Sequence, residues 1–129
     1  MSRASERGAV AVEFAIVAPV LVMLLLGIME FGRAYNAQAS LSAAAREGVR
    51  VMAITGKTAD ATNVAKGAAA SLSPGLQVTD MHFGTPCPTT VPPGTSPQTT
   101  LTITYSLTTL TGIAGPFTLT GKGAMLCVG

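Results

Sequence analysis

From Ala9 to Met29 the chain is apolar at every position but one, Glu13, and this run follows a polar octapeptide, MSRASERG, that carries Arg3, Glu6 and Arg7. A helix over the run, at about 1.5 Å per residue, is roughly 32 Å long and matches the ~30 Å hydrocarbon core of a bilayer. Because the helix is hydrophobic all round, a buried position in a soluble core would require apolar partners on every side. The rest of the chain has too little apolar surface to supply them. A membrane-spanning helix over residues 9–29 is therefore predicted.

The flanks orient it. The amino group, Arg3 and Arg7 outweigh Glu6 before the run, whereas Glu30 and Arg33 cancel after it. The positive-inside bias then puts the N-terminus in the cytoplasm and the rest of the chain outside. A secretory signal peptide has a similar outline, but Gly27-Ile28-Met29-Glu30-Phe31 lacks the small-x-small pattern of its cleavage site, and Glu13 interrupts what should be a purely apolar segment.

Composition narrows the function classes. The chain is 48% hydrophobic and 11% charged, with eight Lys or Arg against six Asp or Glu, no Trp and 5% aromatics. A nucleic-acid partner is not expected, since neither a phosphate-tracking basic groove nor a base-stacking platform is visible. Two Cys and the lone His82 have no metal-ligand spacing, and no nucleophile, base or phosphate-loop motif accompanies them. No metal, cofactor or catalytic activity is expected.

Beyond the span, small or apolar residues recur at Ala34, Ala37, Leu41, Ala44 or Ala45, Gly48 and Met52, which extends the helix to about Ile54. Gly56 ends it, and Thr58 is placed to cap a second helix reaching Leu72 before Ser73-Pro74-Gly75. Leu101, Ile103, Tyr105 and Leu107 alternate with Thr and Ser, the signature of a half-buried strand, with weaker strands over 76–83 and 117–128. Between the first two strands, 84–98 holds five prolines and is read as a loop. The stripe Val64, Ala68 and Leu72 is expected to cover the strand alternation, with Leu41 to Met52 as a second layer. The fold class is α+β: a long N-terminal transmembrane helix extending into a small head with a second helix and a three-stranded antiparallel sheet.

Glu13 carries the chemistry. An ionised carboxylate at mid-bilayer costs on the order of 3 kcal/mol even on the lenient insertion scale. It can snorkel to the headgroups, pair with Arg7, or neutralise a free ammonium at Ala9 if the chain is cut after Gly8. Glycine suits the residue before such a cut because it lets a protease approach the backbone closely.

On these residues the chain resembles the TadE-like pseudopilins of the tight-adherence (Tad, Flp pilus) system. The resemblance rests on RGAVAVEFAIVAPVLVMLLLGIMEFGRA, Arg7 to Ala34, with Gly8, the Glu13-Phe14 pair, Pro19 in the apolar helix and the Glu30-x-Gly32-Arg33 exit, and on AAREGVR, Ala44 to Arg50. It covers about 7–53. Many processed members carry Tyr after the Glu, and Phe14 keeps the ring without the hydroxyl. The resemblance implies a pilin-like protein of the bacterial inner membrane that takes part in assembling Flp/Tad-type type IV pili. Its implied partners are the membrane, a prepilin peptidase cutting between Gly8 and Ala9, other pilin-like subunits and the pilus assembly platform. The expected organisation is a leader 1–8, a span 9–29 and an extracytoplasmic head 30–129. Pro19 removes one backbone bond, which neighbouring helices in a membrane can absorb. The alternative is an unprocessed, membrane-tethered binding module of the envelope that uses its Pro/Thr loop. Cys87 and Cys127 both fall on the outer side, where an oxidising compartment favours a disulfide between them.

Overall fold

Helix α1 runs without a break from Arg3 to Thr55 in the computed structural model, which describes residues 3–128. The chain divides into two units of internal contact, Met1–Arg33 and Ala34–Gly129. In the first, the apolar side chains are exposed around the helix, Phe14 and Ile28 at 71% and 70% among them. The helix is long and apolar enough to cross a membrane, and none of its most apolar stretch is buried within the chain.

In the second unit, Ala34 to Thr55 of α1 is followed by α2 (Thr58–Ala68) and strands β1 (Met81–Phe83), β2 (Gln98–Leu107) and β3 (Phe117–Leu126). The strands form one antiparallel sheet in the order β1-β2-β3. The predicted alternation in β2 is realised: Leu101, Ile103, Tyr105 and Leu107 are buried, and Thr100, Thr104 and Ser106 face out. Burying each of the large apolar side chains contributes roughly 1.5–3 kcal/mol. β3 pairs with β2 along its whole length, from Leu107↔Phe117 to Gln98↔Leu126, whereas β1 pairs only from Met81↔Ile103 to Phe83↔Leu101.

The strand expected over 76–83 is thus shorter. Val78–Asp80 is a turn of 3-10 helix instead, because the Asp80 carboxylate accepts the Gln77 backbone N–H at 2.9 Å and curls the chain before it can join the ladder. Gln98, assigned to the loop from sequence, belongs to β2.

The join between the helices differs from expectation by one residue. Gly56, at φ +66, takes the left-handed turn that ends α1 and donates its N–H to the Met52 carbonyl at 2.9 Å. That leaves a single residue before α2, so Lys57, in extended conformation and with no side-chain cap, is the N-cap, and Thr58 is already helical. At its other end α2 stops at Ala68, and tighter turns carry the chain on, with the Leu72 N–H bonded to the Ala69 carbonyl at 3.1 Å.

The buried face of α2 is also rotated from the predicted one. Ala61, Ala65 and Ala69, then Leu72, are buried, while Val64 and Ala68 are exposed. The cause is the closeness of the two helices. A Cβ at Gly48 would lie 3.1 Å from the Ala65 Cβ, 3.4 Å from the Ala61 carbonyl oxygen and 2.5 Å from Leu101 Cδ2. Only the smallest side chains fit that seam, so size overrides hydrophobicity in choosing the face.

The layering is corrected too, since α1 is not a second layer but lies directly on the sheet. A Cβ at Gly121 would come within 2.5 Å of the Leu41 carbonyl oxygen, and one at Gly123 within 2.5 Å of that of Ala45. β3 therefore runs alongside α1 in the same direction, two strand residues to each helical turn. The Gln38 side-chain amide, donating to the Thr120 carbonyl at 2.9 Å, fixes the same register. The β2–β3 loop consequently lies at the Ala34 end of the head, and the Cys87–Cys127 disulfide lies toward the Thr55 end.

Candidate functional site

Gly8, Ala9, Glu13, Phe14 and Pro19 all lie within α1. Ala9 and Glu13, four residues apart, occupy the same helix face, where Cβ atoms at this spacing lie about 5–6 Å apart. The carboxylate is thus one turn from the Ala9 nitrogen. If the helix began at Ala9, the carboxylate would also sit near its positive end, where negative charge is favoured.

Neither residue is held in place by packing. Glu13 is exposed, and among the described residues it pairs with no cation, Arg7 included. Nothing lies within 4 Å of where a Cβ on Gly8 would be. The fold therefore gives no steric reason for glycine at position 8, although glycine inside a helix costs about 0.5–1 kcal/mol relative to alanine. Phe14 projects its ring outward on the neighbouring face. Pro19, with no N–H, leaves the Ala15 carbonyl without its intrahelical partner, yet α1 continues through it.

The second predicted constellation is in the head. Cys87 and Cys127 are disulfide-bonded, with their Cα atoms 5.5 Å apart. Just before the second cysteine, β3 ends, and the Cys127 N–H donates to the Pro97 carbonyl at 2.8 Å. The proline loop is therefore fastened near both of its ends to Cys127, the residue after β3, by a covalent bond at Cys87 and a hydrogen bond at Pro97.

The sequence reading missed Gly121 and Gly123, whose lack of a side chain lets α1 lie on the sheet. Their signal was present as two glycines at strand spacing, a pattern that often marks close backbone approach.

Compared with known proteins, residues 8–50 match the family model described as TadE-like protein. The likeness to TadE-like proteins covers this third of the chain. A search of curated proteins and a search of solved structures found no match. The TadE-like match begins at Gly8, takes in the whole apolar run with Glu13, Phe14 and Pro19, and ends at Arg50, within α1, which runs on to Thr55. The sheet, the proline loop and the disulfide lie outside it. A TadE-like segment that contains a helix long and apolar enough to span a bilayer fits a membrane protein.

Proposed function

We propose that this chain is a pseudopilin that matures by cleavage between Gly8 and Ala9 and takes part in assembling Flp/Tad-type type IV pili from the bacterial inner membrane. The observation that carries this reading is the coincidence at Gly8. The TadE-like match begins there, the basic leader ends there, and the fold makes no demand for a glycine there.

Hydrolysis of the Gly8–Ala9 bond by a prepilin peptidase would leave a carboxylate on Gly8 and an ammonium on Ala9. Glu13, one helical turn on, neutralises that ammonium in its own chain or in a neighbouring subunit. Either pairing offsets the cost of a carboxylate at the membrane, which is on the order of 3 kcal/mol at mid-bilayer. The leader is cytoplasmic in this reading and the head is outside. A disulfide in the head agrees with an oxidising compartment. The mature protein then meets other pilin-like subunits and the assembly platform through a helix still seated in the membrane.

Intact mass of the protein from its native host is the test. Maturation predicts a loss equal to residues 1–8, and Gly8→Val should leave only the full-length mass. Full mass in unsubstituted protein would instead favour an uncut envelope tether that displays the proline loop. Glu13→Gln is expected to leave membrane insertion intact, because it removes a charge from an apolar helix, and to reduce surface pili through loss of the ammonium's partner. Membrane fractionation with pilus counts checks this, and normal piliation at normal protein level would leave Glu13 without an assembly role.

A further inference from the structure

We infer that the proline loop is a site of O-glycosylation, with the Thr89 and Thr90 hydroxyls as acceptors of a neutral hexose. Cys87 is held by the disulfide, and the Pro97 carbonyl accepts the Cys127 N–H. Between these two anchors the chain is neither helix nor strand, and Thr89, Thr90, Thr95 and Ser96 are all exposed. Hydroxyl residues set among prolines are the composition of O-glycosylated stalks.

The loop's own bonding selects two of the four. Thr95 donates its hydroxyl to the Pro92 carbonyl at 2.7 Å, and Gly94, at φ +80, completes that turn. Ser96 adjoins the anchor at Pro97. Thr89 and Thr90 stand at a bend, and among the described residues their hydroxyls have no hydrogen-bond partner. Pro88 before them and Pro92 and Pro93 after them hold φ near about −65° and keep the stretch out of helix and sheet. An enzyme can therefore bind it without first breaking secondary structure, and the entropy lost in ordering it is already reduced. The exposed Thr100, Thr104 and Thr118 differ in this respect, because their backbones are paired across β2 and β3.

Charge points to a neutral sugar. From Met81 to Gly121 the chain has no Asp, Glu, Lys or Arg, whereas a well-solvated surface is about 25–35% charged. An enzyme that recognises its substrate by charge finds no handle on this loop. A hexose extends the hydroxyl chemistry that already hydrates it.

The transfer is a substitution at the anomeric carbon of a hexose carried on a polyprenyl phosphate. The threonine Oγ1 bonds to that carbon, and the bond from the carbon to the phosphate oxygen breaks. Polyprenyl phosphate leaves with the electron pair, and the hydroxyl proton passes to a base of the transferase. Nothing is oxidised or reduced.

The inference rests on the proposed placement of the head outside the cytoplasm, and the test separates the two. All three lysines, Lys57, Lys66 and Lys122, lie in the head, so a membrane-impermeant amine reagent added to spheroplasts of the native host reports its side. Full-length protein from the same host is reduced and digested with trypsin, and the peptide from Gly67 to Lys122 is fragmented by a method that leaves sugars attached. Mass increments of whole hexoses should map to Thr89, Thr90 or both, on a peptide separate from any loss of residues 1–8. The double variant Thr89→Ala, Thr90→Ala should lose them, and Thr89→Ser, Thr90→Ser should keep them. An unmodified loop in a head whose lysines are labelled overturns the glycosylation and leaves the placement intact. Hexoses on Thr100, Thr104 or Thr118 with Thr89 and Thr90 bare also overturn it. Lysines labelled only after lysis would mean that the placement fails, and the inference fails with it.

Discussion

Gly121→Val or Gly123→Val should unfold the head. At both positions the space a side chain would need is occupied by the backbone of α1: the Leu41 carbonyl oxygen and carbon at 2.5 and 2.7 Å from a Cβ on Gly121, and those of Ala45 at 2.5 and 2.8 Å from one on Gly123. A flexible side chain could swing away, but a helix carbonyl cannot move alone. Valine would lift the helix off the sheet around Leu41, Ala45, Leu101 and Ile103, all of which are fully buried. The cost should exceed the ~1–3 kcal/mol typical of over-packing. For a small domain whose total stability is about 5–15 kcal/mol, this is a large fraction. Gly67→Ala is the control, because that glycine is exposed on α2 with nothing within 4 Å of an added Cβ. It should stabilise the head by roughly 0.4–1 kcal/mol. Limited proteolysis and thermal melts of the full chain in membranes read both effects. Wild-type protease resistance in Gly121→Val would mean that α1 does not lie on β3 as described.

The elements with a strong periodic signal were legible from sequence, and those chosen by size were not. β2 alternates large apolar residues with Thr and Ser, and no other arrangement buries Leu101, Ile103, Tyr105 and Leu107 together. The outer stripe of α1 was legible for the same reason, though both Ala44 and Ala45 are buried because sheet and second helix together enclose a wide face. In α2, by contrast, the alanines offer several nearly equivalent faces. Val64 marked the most hydrophobic of them, and the Gly48 seam selected the smallest. The 3-10 turn before β1 depends on one carboxylate reaching one backbone N–H, Asp80 to Gln77, and a stretch read for hydrophobicity does not show that bond.

The spacing within the candidate site was legible because it is local. Gly8, Ala9, Glu13 and Phe14 lie within two helical turns, so their relation follows from sequence spacing once the helix is granted. The loop end of the β2–β3 hairpin is the opposite case. Leu110, Ile113 and Phe117 are unremarkable as a sequence, and their placement at the Ala34 end depends on β3 running parallel to α1, a long-range fact set by Gly121 and Gly123.

A fragment from Ala34 to Gly129, exported to an oxidising compartment, should be soluble and melt cooperatively, and reduction should remove most of its stability. The core argues for self-sufficiency. Leu41, Ala45, Val49, Leu101 and Ile103 are at most 2% exposed within the unit that begins at Ala34. Starting in mid-helix leaves new N–H groups without intrahelical partners at Ala34, but that end is at a surface where water can satisfy them. Cys87 and Cys127 are 40 residues apart, so the bond is worth roughly 4 kcal/mol in the chain-entropy model. In a domain of this size 1 kcal/mol corresponds to about 4–8 °C, so reduction should lower Tm by roughly 15–30 °C. The bond closes residues 87–127, β2 and β3 among them, and the proline loop within that span contributes none of the clustered core residues that could hold it in the bond's absence. A melt unchanged by reductant would show that the loop contributes nothing to the head. Aggregation even when oxidised would show that the sheet completes its core against another subunit, and would make the head an obligate part of an assembly.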